Sequence, residues 1–263
     1  MKKIIHTIIL LFISGIFNSI DAQNIETASL QSNATEQQNV KSVILPTGYY
    51  ELSFGPAIPI GSFANESGKS YGEYATLGNN FNLSVAVPIN HSNFGIAFIY
   101  SSYNNFFDMN TYLNNMQMSD PSKNYTGINS DEYDESFIMF GMFATYPVER
   151  LSFDFRLLGG VAFCHLPEVD YGANPINENY YTYQWDTYSN RSTSFVFDIG
   201  GNIRYKIRRM SVMLGIDFIS TNPSINTTEQ YTDPNGNNAY THVGGNISIS
   251  NIGINLGIGY RIR

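Results

Sequence analysis

The sequence predicts an all-β protein, an eight-stranded antiparallel up-and-down transmembrane β-barrel, and three observations carry that expectation. Apolar residues alternate with small or polar ones through eight successive segments between Tyr49 and the C-terminus. The polar member of each alternation is mostly Gly, Ala, Ser or Asn, not the Lys, Glu and Thr of a strand face open to water. The connections alternate between short and long, as in barrels with tight turns at one rim and large loops at the other.

Composition agrees. Of 263 residues, 43% are apolar and only 14% charged, against about 25% charged for an average soluble domain. Aromatics reach 14%, with 19 Tyr and 18 Phe beside a single Trp, and 22 Gly are scattered among them; this is a strand-forming mixture. The net charge is −8, which argues against nucleic acid as a partner. Cys164 is the only cysteine, so no intramolecular disulfide can form.

Residues 1–22 read as a signal peptide. Lys2 and Lys3 make a basic start, Ile4 to Phe17 an apolar stretch too short to span a bilayer, and Ile20-Asp21-Ala22 a cleavage end. No cysteine follows to accept a lipid. Residues 23–47, rich in Gln, Asn, Ser and Thr, read as a flexible periplasmic leader. The remainder, 48–263, is expected to be the barrel with four long extracellular loops.

The eight segments follow in order. Tyr50, Leu52, Phe54, Pro56 and Ile58 share one face of the first; Phe81, Leu83, Val85, Val87 and Ile89 do so in the second, and Phe94, Ile96, Phe98 and Tyr100 in the third. The fourth, Phe137 to Tyr146, is apolar on both faces, with Ile138, Phe140, Met142, Ala144 and Tyr146 as its outer row. In the fifth, Leu151, Phe153, Phe155, Leu157, Val161 and Phe163 oppose Ser152, Asp154, Arg156, Gly160, Ala162 and Cys164. Phe195 to Tyr205, Met210 to Phe218 and Ile252 to Ile262 complete the set.

A soluble sandwich would alternate too, so the content of the second face decides the environment. Small residues suit the interior of a narrow barrel, where side chains from every strand converge. The large apolar row then faces lipid. Tyr50, Tyr146, Tyr205 and Tyr260 fall on that row at the short-turn end, which reads as an interfacial aromatic girdle.

Three stretches are similar to the small outer-membrane β-barrel domain proteins of Bacteroidota, a porin-like or OmpA-like family. They are Glu51-Leu52-Ser53-Phe54-Gly55-Pro56-Ala57-Ile58-Pro59-Ile60-Gly61-Ser62-Phe63, Leu158-Gly159-Gly160-Val161-Ala162-Phe163 running to Pro167, and Leu256-Gly257-Ile258-Gly259-Tyr260-Arg261-Ile262-Arg263. The resemblance covers Tyr49 to Arg263 and implies fold and compartment, the cell outer membrane. It implies no activity, because the family has no shared catalytic motif. The terminal Arg263 departs from the aromatic ending common in such barrels.

Residues able to do chemistry are sparse. His91 falls in a short turn, His165 ends the fifth segment beside Cys164, and His242 lies in the last loop near Ser248 and Ser250. Adjacent strand residues point to opposite faces, which separates Cys164 from His165. No catalytic, cofactor or metal set is assigned, and no cofactor is expected.

The inner face carries Glu51, Asp154, Arg156, Asp198, Arg204, Asp217 and Arg261. Buried charges need partners, so these are read as an ion-pair network, with a conduction path as the alternative. Counting up from the short turns sets Asp154 level with Arg204, and barrel closure sets Glu51 beside Arg261, within a register slip of about two residues. In the long loops acids far outnumber Lys69, Lys123 and Arg191, while Arg150, Lys206, Arg208, Arg209, Arg261 and Arg263 gather at the other rim. Asp131, Glu132, Asp134 and Glu135 read first as solvated acidic surface and second as a divalent-cation site. Asp233-Pro234-Asn235-Gly236-Asn237 reads as a turn. Tyr171, Tyr180, Tyr181, Tyr183, Trp185 and Tyr188 form either a contact surface for protein or sugar or a layer on lipid headgroups.

The expected role is structural or recognitive, through acidic, Tyr-rich extracellular loops, and not enzymatic. The alternatives are a rim enzyme acting on lipid or peptide, and a small low-conductance pore. Expected partners are outer-membrane lipids and an extracellular protein or glycan ligand, with the barrel a monomer.

Overall fold

A computed structural model describes residues 48–64, 74–90, 92–176, 183–189, 191–233 and 235–262. The signal peptide, the leader, His91, Tyr180, Tyr181 and Arg263 lie outside the described residues. The elements in chain order are β1 (Tyr49–Pro59), β2 (Gly78–Pro88), β3 (Phe94–Asn105), α1 (Met109–Ser119), β4 (Lys123–Ser130), β5 (Tyr133–Val148) and β6 (Leu151–His165). They continue with β7 (Val169–Pro175), β8 (Tyr183–Ser189), β9 (Ser192–Ile207), β10 (Met210–Thr221), β11 (Ser224–Thr232), β12 (Asn238–Asn246) and β13 (Ile249–Arg261).

The eight expected segments close into one antiparallel barrel in the order β1-β13-β10-β9-β6-β5-β3-β2. Each strand pairs with its neighbours along the chain, and closure comes from β1 against β13, with Tyr50 opposite Tyr260 and Leu52 opposite Ile258. At the short-turn rim only Glu149-Arg150 separates the pair Val148 and Leu151. Likewise only Arg208-Arg209 separates Ile207 and Met210. Glu149 and Arg208 take positive φ, +52° and +58°, the conformation that lets a two-residue turn follow the strand twist.

Alternation runs true through the wall. Phe54, Phe140 and Phe195 are 65%, 73% and 72% exposed on the outside, while Ser53, Asn82 and Ser84 inside are buried. No helix among the described residues is long and apolar enough to cross a membrane; the strands do so, their backbone groups paired around a ring without edges. The doubly apolar fourth segment, β5, finds its reason here. Phe137, Met139 and Phe143 are buried inside the barrel, packed with Ile99, Tyr103, Leu158, Val196 and Ile219. Tyr103 reaches across to β13, where a Cβ on Gly253 would sit 2.6 Å from its hydroxyl. The small residues of one wall thus leave room for the large ones of the other.

The long connections between the barrel strands hold more structure than the alternation of the wall reveals: α1 and a second, five-stranded sheet ordered β12-β11-β8-β7-β4. These strands escape a search for alternation because water lies on much of their surface: β4 and the described side chains of β12 are largely exposed along their length. The helix begins at Asp108, whose carboxylate accepts the Thr111 N–H (3.0 Å) and Thr111 hydroxyl (2.8 Å), satisfying donors a helix start leaves open. An aromatic cluster ties helix to sheet. The Tyr112 ring meets those of Tyr74, Phe107 and Tyr171 edge-on at 5.4, 5.4 and 5.9 Å between centroids. Buried Tyr74 holds φ +85°, a strained conformation for so bulky a residue. Phe107 also packs on Tyr133 at the top of the barrel, at 6.2 Å.

Candidate functional sites: the lumen and the sheet above it

Six of the seven charges expected inside the barrel are there, and two arginines organise them. Arg156 of β6 binds Asp198 of β9 through Nε at 3.1 Å and Asp217 of β10 through Nη2 at 2.6 Å. The same Asp217 oxygen accepts the Asn255 amide of β13 at 2.5 Å, and Asn255 Oδ1 accepts from Asn82 of β2 at 3.0 Å. Polar contacts therefore run from β6 through β9, β10 and β13 to β2. Gly200 makes room for them, since a Cβ there would lie 2.7 Å from Arg156 Nε and would collide with Asp217 Oδ1.

Arg204 of β9 builds the second group, nearer the short-turn rim. It pairs with Asp154 on β6 and lies 3.8 Å from Glu51 on β1, with its guanidinium 3.3 Å from the centroid of the Tyr49 ring. Ser152 donates to Asp154 at 3.2 Å and shares a hydrogen bond with Thr145 at 2.8 Å. The pairing of Asp154 with Arg204 was legible, although the two are offset: Asp154 sits opposite Asn202, and Arg204 opposite Ser152. The pairing of Glu51 with Arg261 is overturned. Glu51 stands opposite Gly259, and Arg261 opposite Tyr49 at the exposed rim. Glu51 instead turns toward Arg204, because closing the barrel brings β9 across the lumen from β1.

These groups, with the aromatic packing above them, fill the interior. Near the Arg204 group a small pocket remains, lined by Tyr49, Ser84, Asp154, Arg156 and Asn202 among others.

The other candidates scatter. Glu135 faces inward and is buried, its carboxylate accepting from Asn251 at 3.2 Å, whereas Asp131, Glu132 and Asp134 are exposed. The alternation of β5 puts Asp134 and Glu135 on opposite faces, so these four carboxylates do not converge on one ion. Among the described residues no group of three or more His, Cys, Asp or Glu is placed to hold a metal. Cys164 is buried in the lumen and His165 faces the other way. His242 lies on β12, its Nδ1 3.0 Å from the Thr228 hydroxyl.

Asp233 forms the expected turn. Its carboxylate accepts the backbone N–H of Asn235 and Asn237 at 2.8 Å each, Gly236 takes φ +81°, and the hydrogen bonds to Asn237 and Asn235 hold the carboxyl below its ordinary range. Tyr171, expected on a contact surface, is buried against Tyr112 and Tyr125, and burial raises its hydroxyl well above the usual tyrosine range. Tyr183, Trp185 and Tyr188 lie on β8. After α1, Asp120 accepts from Ser122 and pairs with Lys123 at 2.9 Å; the Ser122 hydroxyl first and Lys123 second lower its carboxyl to about 2.

No known family model matches the chain. No curated protein matches it. Among solved structures it is similar to Neisserial surface protein A, at 12% identity over 81% of this chain and 96% of that one, TM-score 0.42. It is similar also to a major outer membrane protein from Thermus thermophilus, at 9% identity over 82% and 100%, TM-score 0.45. The beta domain of the Bordetella autotransporter BrkA gives 9% identity over 82% and 98%, TM-score 0.30. The membrane assignment rests on the chain's own barrel: a closed ring of eight strands, a polar and aromatic interior, and an outer wall of exposed Phe, Ile, Leu and Val bounded by tyrosines. A wall of that size and composition is stable against lipid and not against water. The chain is an eight-stranded transmembrane β-barrel of the outer-membrane type.

Proposed function

We propose that this protein is a monomeric outer-membrane anchor that presents a rigid, acidic β-sheet at the cell surface for recognition, without chemistry of its own. The observation that carries this reading is the division of the molecule. Ion pairs and aromatic packing occupy the lumen, and the chain outside the wall is spent on an ordered sheet and helix at the long-connection rim. Eight strands leave space for side chains alone, which argues against the pore. The separation of Cys164, His165 and His242 argues against the rim enzyme.

Protease added to intact cells tests the display. Cleavage is expected only in the long connections, such as that between Asn105 and Tyr133, and cutting after Arg208 or Arg209 from outside would reverse the orientation. Purified protein in planar bilayers should give no stepwise conductance; a stable unitary step would favour the pore.

A further inference from the structure

We propose that β12 is an acceptor edge for strand addition, taking up an extended, cationic segment of another polypeptide as a sixth strand of the sheet; this deepens the recognition reading and rests on it. The two edges of the sheet differ. At β4, α1 packs alongside with Met109 and Leu113 against Gly127, the register is broken between Gly127 and Asn129, and Lys123 stands at the start. Each of these is a device that discourages a further strand. Strand β12, Asn238-Ala-Tyr-Thr-His-Val-Gly-Gly-Asn246, carries no Pro, no Lys, Arg, Asp or Glu, and pairs with β11 in unbroken register from Ser224–Asn246 to Thr232–Asn238.

The hydrogen bonds at both ends of that hairpin fix which groups face outward. The Asp233 N–H donates to Asn237 O at 2.9 Å, and the Ile247 N–H donates to Pro223 O at 3.1 Å. In an antiparallel pair, bonded and non-bonded positions alternate, so the bonded pairs fall on odd-numbered residues. Asn238, Tyr240, His242, Gly244 and Asn246 then turn N–H and C=O away from β11. All five are exposed, and among the described residues β12 ends the sheet. What satisfies such a row is the backbone of another extended strand. Charge selects its character. Neither β11 nor β12 has a Lys or Arg, Glu229 and Asp233 lie on or beside the hairpin, and the long connections taken together are acidic, so the complementary strand is cationic.

The test uses the full chain refolded in detergent, which does not depend on the side of the membrane the sheet faces, and a capped nine-residue peptide of alternating Lys and Val. Binding is expected together with at least tenfold slower amide exchange at 238, 240, 242, 244 and 246, and little change at 239, 241, 243 and 245. Replacing Lys by Glu in the peptide should weaken binding at least tenfold, and N-methylating its pairing face should abolish it. His242→Pro removes an outward donor without touching the β11 ladder and should weaken binding at least tenfold, with the Asp233 turn amides unchanged; if that variant unravels the hairpin, the N-methylated peptide decides. Binding indifferent to N-methylation, or protection elsewhere, would overturn the proposal. So would concentration-dependent protection of the same amides without peptide, which would make a second copy the occupant. Protease results on intact cells bear on surface display alone, so the two readings fail separately.

Discussion

The lumen and the sheet above it draw on the same uncharged residues, Asn, Ser, Thr, Tyr and Gly, yet they are held by different forces. In the lumen Arg156 and Arg204 each bind two carboxylates from other strands, away from water. Above it, Tyr74, Phe107, Tyr112 and Tyr171 meet edge-on between helix and sheet, while Lys123 and Asp120 pair in the open. The contrast teaches where electrostatics matters. A guanidinium locked among buried carboxylates cannot be lost cheaply, but an exposed pair contributes little.

The sharpest way to break the comparison is to remove a lumen cation. Arg156→Met leaves Asp198 and Asp217 buried without a counter-charge, and should cost about 3–5 kcal/mol in urea stability of the refolded barrel. A loss under about 1 kcal/mol would mean that water reaches both carboxylates and the interior is not dry. Next comes the double-mutant cycle of Asp154→Asn with Arg204→Met, where a coupling of about 1–3 kcal/mol is expected. Additive single changes would show that the pair does not interact. Gly200→Ala should destabilise by a similar amount, about 1–3 kcal/mol, by pushing Arg156 off Asp217; unchanged unfolding would show that the ion pair yields freely.

Smaller effects belong to the upper region. Tyr112 and Tyr171 share a side-chain hydrogen bond, so Tyr112→Phe should weaken the docking of helix to sheet by about 1 kcal/mol. Faster proteolysis within α1 at unchanged barrel stability is the signature to measure. The smallest effect is one of pH. The Asp120 carboxyl is lowered to about 2, so its bonds to Ser122 and Lys123 contribute fully above the unfolded value near 3.9 and fade as pH falls through 2. Exchange of the Ser122 amide should accelerate across that window while the lumen strands keep their protection. Acceleration already at pH 5 would contradict it.

How much could be read beforehand follows from burial. Each barrel strand separates a lipid face from an interior face, so residues such as Phe54 and Ser53 reveal their sides by alternation alone. Strands β11 and β12 are mostly polar, with Ile225 and Val243 as their only large aliphatic side chains, too few for a period-two reading to find them. The aromatic surface anticipated in the third long connection shows the converse: Tyr171 is buried because Tyr112 of α1 folds over it, a contact between distant segments that local composition does not reveal. Helix α1 was not legible, because Met109–Ser119 has no clear apolar stripe; its Asp108 cap shows only in the structure.

Sequence alone determined the wall: the number of strands, which face meets lipid, which rim carries the short turns, and that Asp154, Arg156, Asp198, Arg204 and Asp217 point inward. These are properties of single strands, fixed by chain geometry and side-chain size. Only the tertiary structure decided that Glu51 answers Arg204 and not Arg261, that Arg156 bridges β9 and β10, and that the long connections assemble into a second sheet. Partners across a lumen depend on register and closure, which the periodicity of one strand does not contain.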